Sequence, residues 1–257
     1  MKKIKTYKIV KPEKDLKKIL LKDKLISGWD QYSEANIYQV RCVKNHKDQL
    51  TSLFLPIESQ SPNVLEIGAG TGPLIEDVME IMVHGGSYYG IDWSPGMLRE
   101  AKRRAEKIKE KYNSVDFFFS RENLEEALPY DDGFFDAIFS LQVLCYIRGG
   151  WKPVVKELER ILKPGGHLYV APLVDEDFIK HAIKHFIAEF FRQPIVSIRG
   201  LKYRKIISEI AEEAKEQGSE FPDPEELVEY LKTLGFQEIE STVTYWGGGR
   251  AIRAQKS

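Results

Sequence analysis

Between Val64 and about Val174, apolar runs of strand length alternate with amphipathic stretches of helix length. "NVLEIGA" reads as a strand. "PLIEDVMEIMV" reads as a helix with Pro73 at its first position, where the missing N–H costs little. "SYYGIDW" is a second strand, and "SPGMLREAKRRAEKIKEKY" a helix with Ser94 as N-cap and Pro95 at N1. "VDFFF" and "FDAIFSLQ" are further strands. "WKPVVKELERIL" is a helix closed by "KPGG", and "HLYVAP" a fifth strand. Such alternation leaves few architectures open. It predicts an α/β fold with a parallel, doubly wound sheet, right-handed crossovers and a ligand site at the carboxyl ends of the strands.

The flanks differ. Residues 1–60 are charged and read as a helical extension, with Leu16, Ile19 and Leu20 on one face of "DLKKILLKDKL". After the fifth strand the alternation breaks. "DEDFIKHAIKHFIAEFFRQP" carries an apolar helical stripe from Phe178 to Phe191, and "YRKIISEIAEEAKEQG" is a second amphipathic helix. "FPDPEELVEYLKTLG" is a third helix, with Asp223 as cap, Pro224 at N1 and Gly235 past its end. "FQEIESTVTYW", "GGG" and "RAIRAQK" close the chain as a hairpin. The expected organisation is an extension over 1–60 and one domain over 61–257, with a helical insertion over 175–221.

Bulk properties exclude more than they identify. The 257 residues carry a formal charge of -1, which gives no electrostatic reason to expect nucleic acid. The lysine-rich N-terminus lacks a continuous apolar run, so no signal peptide is expected, and no stretch is long enough to span a bilayer. Cys42 and Cys145 lie too far apart for a metal or redox pair, and a cytoplasmic location is the default. His181 and His185 stand at i, i+4 but lack the Glu of a zinc-binding helix motif, so no metal site is expected.

The glycine loop carries the chemistry. "VLEIGAGTG" places Gly68, Gly70 and Gly72 between strand and helix, where a ligand can lie against bare backbone. The spacing is G-x-G-x-G rather than the dinucleotide G-x-G-x-x-G, and no P-loop lysine follows. Glu66, just before the loop, would repel phosphate and attract an amino group. Asp92, at the end of the second strand, is placed to accept from ribose hydroxyls. Trp93 and Met97 follow as apolar surfaces for a base. Adenosine at one end and a cationic amine at the other describe S-adenosylmethionine.

These motifs, with "YYGIDWSPGMLREAKRR", "LPYDDGFFDAIFSLQVLCYI" and "ELERILKPGGHLYVAPL" in that order, resemble the class I S-adenosylmethionine-dependent methyltransferases. They are most similar to the small-molecule type of ubiquinone and menaquinone biosynthesis. The resemblance covers about 60–175 and 222–257. It implies a Rossmann-like, mostly parallel seven-stranded sheet ordered 3-2-1-4-5-7-6, with strand 7 antiparallel. It implies that Glu66, Gly68, Ala69, Gly70, Thr71 and Gly72 hold the methionine part and Asp92 the ribose. Trp93 and Met97 would flank the adenine, and Ser140, Leu141 and Gln142 would line the sulfonium. The product would be S-adenosylhomocysteine and the acceptor a small molecule, with the protein a monomer or homodimer.

One departure stands out. The family's "G-D-A-x-x-L-P" after strand three is replaced by "SRENLEEALPY", so Arg121, Glu122 or Asn123 is expected to take the place of the missing acid, with Glu122 and Asn123 favoured. No side chain is marked as a base. Tyr146 is the candidate if a polar group assists, beside the reading of a structural tyrosine. Trp29 and Tyr32 either cap the sulfonium through cation–π contact or pack the extension on the sheet. The insertion over 175–221 either forms a lid or packs as core. Arg199, Lys202, Arg204 and Lys205 form a solvated face or meet an anionic substrate. A catalytically silent relative that binds the cofactor as a regulatory or scaffold module is the second function class. A nucleotide-dependent oxidoreductase is the third, and the loop spacing and Glu66 weigh against it.

Overall fold

A computed structural model describes residues 27–30, 33, 44–173, 209, 212–216, 218–244 and 249–257. The stripe from Phe178 to Phe191, the pair His181 and His185, the cluster Arg199 to Lys205, Tyr32 and Cys42 lie outside the described residues.

The elements are α1 (Lys44–Thr51), β1 (Asn63–Ile67), α2 (Ile75–Ile81), β2 (Gly86–Asp92), α3 (Pro95–Ile108), β3 (Val115–Arg121), β4 (Phe135–Leu141), α4 (Lys152–Ile161), β5 (Leu162–Ala171), α5 (Pro224–Thr233), β6 (Phe236–Thr244) and β7 (Gly249–Lys256), with a short 3-10 turn at Leu144–Tyr146. The strands form one seven-stranded sheet in the order β3-β2-β1-β4-β5-β7-β6. β1 pairs in parallel with β2 and β4, β2 with β3, and β4 with β5, while β7 runs antiparallel between β5 and β6. The strand order therefore reverses between β1 and β4, and their carboxyl ends bound the crevice where such sheets take ligands.

Burial explains the composition of the strands. In β1, Val64, Leu65, Glu66 and Ile67 are all buried, as a central strand covered on both faces requires. One layer holds Leu50 of α1, Leu74 to Met79 around α2, and Ala101 and Ala105 of α3 against Val64, Tyr88, Phe139 and Tyr169. The other layer packs Val154, Val155, Leu158 and Ile161 of α4 and Leu227 and Leu231 of α5 against Leu65, Ile67, Ile138, Leu168 and Ile252. The edge strand β6 is mostly exposed and polar.

Local chemistry sets most helix ends as expected. Ser94 caps α3 by accepting the N–H of Met97 at 3.0 Å, and Pro95 opens the helix. Asp223 caps α5 through the N–H groups of Glu225 and Glu226, at 3.0 and 2.9 Å. Two expectations need correction. Pro73 is not the first residue of a helix: α2 begins at Ile75, after a turn in which the Gly72 N–H bonds back to the Ala69 carbonyl at 2.8 Å. "KPGG" does not precede β5 but belongs to it, through an irregularity opposite Phe135 and Ala137 that absorbs the extra residues.

Candidate functional site

The loop after β1 is held by its neighbours in the sheet. The Ala69 N–H donates to the Ile91 carbonyl at 2.9 Å, and the Gly70 N–H donates to Asp92 Oδ2 at 2.9 Å. Arg104 of α3 donates to the Gly72 carbonyl at 2.9 Å and braces the other side. Gly68 has φ +57°, and a Cβ built there would lie 2.3 Å from Val143 Cγ2, so the loop after β1 abuts the loop after β4. Gln142, in that second loop, has φ +61°, uncommon for a residue with a side chain, and its N–H donates to the Ala171 carbonyl at 2.9 Å.

Two carboxyl groups flank the loop. Asp92 Oδ1 accepts the Ser94 N–H at 2.9 Å while Oδ2 holds Gly70. Burial raises its pKa first of all, Asp30 nearby adds to the rise, and the N–H groups of Ser94 and Gly70 oppose it. The Trp93 N–H acts on it as well; a carboxylate has about four acceptor directions, so acceptor capacity remains beyond these three. Glu66 is 1% exposed and accepts a short hydrogen bond from the Tyr88 hydroxyl. Desolvation pushes its pKa up to about 8, with the charges of Asp92 and Asp77 adding to the shift and Tyr88 and Arg104 opposing it.

Two buried hydroxyls at the same end of the sheet have no partner among the described residues. They are Thr71 Oγ1, 4% exposed, and Ser140 Oγ, 1% exposed. Orphaned buried donors are rare in folded proteins and ask for a ligand or water. A bare loop, two carboxyls and two unpartnered hydroxyls form a donor and acceptor set that fits a nucleoside carrying an amino-acid tail. Ser140 lies on the same face of β4 as Ile138, in the layer of α4, whereas Leu141 packs into the layer of α2 and α3.

Just past β2, Trp93 is half-buried and its carbonyl accepts from Arg121 Nε at 2.9 Å. The Arg148 guanidinium lies over its ring at 5.3 Å and is ion-paired with Glu125. Met97 is buried. The Glu122 N–H reaches the Asp92 carbonyl at 3.3 Å, which brings Glu122 to the end of β2. Asn123 spends its side chain locally, donating to Glu126 at 2.6 Å and accepting the Glu125 N–H at 3.3 Å. Trp29 stands edge-on to Tyr146, ring centroids 5.0 Å apart. Cys145 is buried and its thiol is pushed up to about 12, which makes it a packing residue rather than a nucleophile.

Three residues of this region escaped the sequence reading. Tyr88 lies one pleat from Glu66 on a neighbouring strand, a relation readable only once the β1–β2 register is known. Asp30 reaches the N-terminus of α3, and Arg148 reaches Trp93. Neither carries a local signal.

Residues 65–170 match the sequence profile of a family described as a methyltransferase domain. The demethylmenaquinone methyltransferase of Chlorobaculum tepidum is 26% identical over 210 residues, 80% of this chain and 75% of that protein. That of Tropheryma whipplei is 30% identical over 179 residues, 68% of this chain and 66% of that one. Among solved structures, a Thermotoga maritima S-adenosylmethionine-dependent methyltransferase, described as a possible histamine N-methyltransferase, aligns over 92% of this chain and 98% of its own. Its TM-score is 0.56 at 20% identity, which speaks for the shared fold.

Proposed function

Because the chain belongs to the class I S-adenosylmethionine-dependent methyltransferases, we propose that it methylates an oxygen, nitrogen or carbon nucleophile of a small-molecule acceptor. The observation that carries this reading is Asp92: it ends β2 with one carboxylate oxygen on the glycine-loop N–H of Gly70 and acceptor capacity left over. Two similar proteins act on a demethylated menaquinone precursor by name, so a quinone-like aromatic ring heads the panel of acceptors.

When bound, S-adenosylmethionine supplies a methyl group already activated by a sulfonium. The protein's part is then alignment and exclusion of water more than strong acid–base chemistry. In this reading Asp92 accepts from the ribose hydroxyls. The loop Gly68–Gly72 receives the amino-acid part, with Glu66 beneath it and the Thr71 hydroxyl toward it. Trp93 and Met97 flank the adenine, Glu122 takes its amino group, and Ser140, Leu141 and Gln142 line the methyl side. Trp29 and Tyr146, in contact with each other, wall the acceptor side, and Tyr146 assists a proton transfer where the acceptor needs one.

Calorimetric titration with S-adenosylmethionine and S-adenosylhomocysteine, with NAD as control and Asp92→Ala as the paired variant, tests the cofactor. Binding of the first two in the micromolar range, lost in the variant, supports the reading, and no binding by folded protein overturns it. Turnover across the acceptor panel, with Tyr146→Phe, separates an enzyme from a silent binder.

A further inference from the structure

Glu66 is a carboxyl group in the wrong surroundings for a charge. It lies on a central strand covered on both faces, 1% exposed, and among the described residues its one hydrogen-bond donor is the Tyr88 hydroxyl. An ionised carboxylate has room for about four donors, and burying one with a single neutral partner is unfavourable. Among the described residues, the charged groups that act on it are Asp92 on β2, Asp77 on α2 and Arg104 on α3. Two are acidic. The one cation, Arg104, is already bonded to the Gly72 carbonyl. The loop that follows β1 carries the Thr71 hydroxyl, unpartnered among the described residues, and Asp92 and Arg104 both grip that loop, at Gly70 and Gly72. The pocket is thus arranged for an arriving cation, and until one arrives the carboxyl is better off neutral.

We infer that burial keeps Glu66 a neutral acid until ligand arrives, that Tyr88 is a positioning residue whose donated hydroxyl holds the carboxyl in place and supports its ionised form, and that arrival of a cofactor's ammonium group beside the loop expels the Glu66 proton to solvent. This rests on the cofactor reading above and deepens it. Binding of the amino-acid tail and loss of one proton then form a single event. Affinity for ligands that carry the ammonium rises with pH toward about 8, where Glu66 titrates by itself. Ligands with the adenosine alone escape the dependence. Asp92 takes part in both cases, so comparing the two kinds of ligand cancels its contribution.

The experiment is calorimetric titration near pH 7 in phosphate and in Tris, whose ionisation enthalpies differ. The probes are S-adenosylhomocysteine and 5′-methylthioadenosine, which shares the adenosine and thioether but lacks the amino acid. The expected result for the wild type is about 0.9 more proton released with S-adenosylhomocysteine, because a group titrating near 8 is about nine-tenths protonated at pH 7. Glu66→Gln keeps an acceptor for Tyr88 and has no proton to lose, so the difference disappears. Tyr88→Phe weakens S-adenosylhomocysteine roughly tenfold or more and leaves 5′-methylthioadenosine within about twofold. Equal proton counts for the two ligands in the wild type overturn the inference, as does a Tyr88→Phe variant that weakens both alike. Should Tyr88→Phe not fold, the wild-type and Glu66→Gln proton counts decide alone. A folded protein that binds neither compound overturns the cofactor reading itself.

Discussion

Asp30 Oδ1 accepts the backbone N–H of Gly96 at 2.8 Å and the Ser94 hydroxyl at 2.5 Å, so a residue before the sheet caps a helix whose own N-cap, Ser94, lies 64 residues later. Ser94 relays the contact by accepting the Met97 N–H, and Ser33 is buried beside it. The negative side chain also suits the positive end of the helix dipole. Gly96 makes room for the approach: a Cβ there would lie 2.9 Å from Asp30 Oδ1 and 3.1 Å from its Cα. Ala is the better helix former by about 1 kcal/mol, so Gly96→Ala should spare α3 while displacing the segment. Limited proteolysis should cut Gly96→Ala and Asp30→Ala near residue 30 well before the wild type. Equal cleavage rates would show that the contact does not hold the segment.

Asp92 should matter to the fold as well as to the ligand. Its two oxygens satisfy the N–H groups of Gly70 and Ser94. Truncation to Ala leaves both donors to find water, a cost of about 1–3 kcal/mol. Asp92→Asn retains an acceptor and should be milder. Chemical denaturation of the three proteins should order them wild type, Asn, Ala, with the Ala variant still folded enough for the binding titration.

The pH dependence of stability should carry the mark of Glu66. Its pKa is about 8 in the folded chain against an ordinary 4.5, so between those values the folded state binds more protons than the unfolded one. Its contribution is therefore fully present below 4.5 and is lost as pH rises through 8. The loss amounts to a few kcal/mol, roughly. Melting curves of the ligand-free protein from pH 5 to about 9 should fall more steeply for the wild type than for Glu66→Gln. Parallel curves would show that Glu66 is not neutral in the fold.

Gly68→Ala should be severe. Its φ of +57° disfavours any side chain, and the added methyl would collide with Val143. The expected cost is about 2–4 kcal/mol, with loss of cofactor binding even in protein that remains folded. Circular dichroism and calorimetry on the same sample would show whether both follow.

Cys145 should resist alkylation by iodoacetamide at pH 8 until the chain is unfolded, because its thiol is buried and titrates near 12. Mass spectrometry of the peptide that carries it reads this apart from Cys42. Rapid labelling in the native protein would contradict the burial.

Much of this protein follows from local sequence. The glycine positions, the caps at Ser94 and Asp223 and the alternation of apolar runs express short-range rules, and a doubly wound sheet has few ways to connect such elements. That is why Glu66, Gly68, Gly70 and Asp92 were legible as a group: all lie within one strand–loop–helix–strand unit. The start of α2 two residues beyond Pro73, and the inclusion of "KPGG" in β5, were not legible. The first depends on the turn that bonds Gly72 back to Ala69, the second on pairing with β4 rather than on propensity. The same holds for Tyr88 under Glu66, Arg148 over Trp93 and Asp30 on Gly96. Each is a contact between segments whose separation along the chain says nothing about their distance in space. Sequence determined which chemistry this chain can offer; tertiary structure decided which groups are buried together, and through burial whether Glu66 carries a charge.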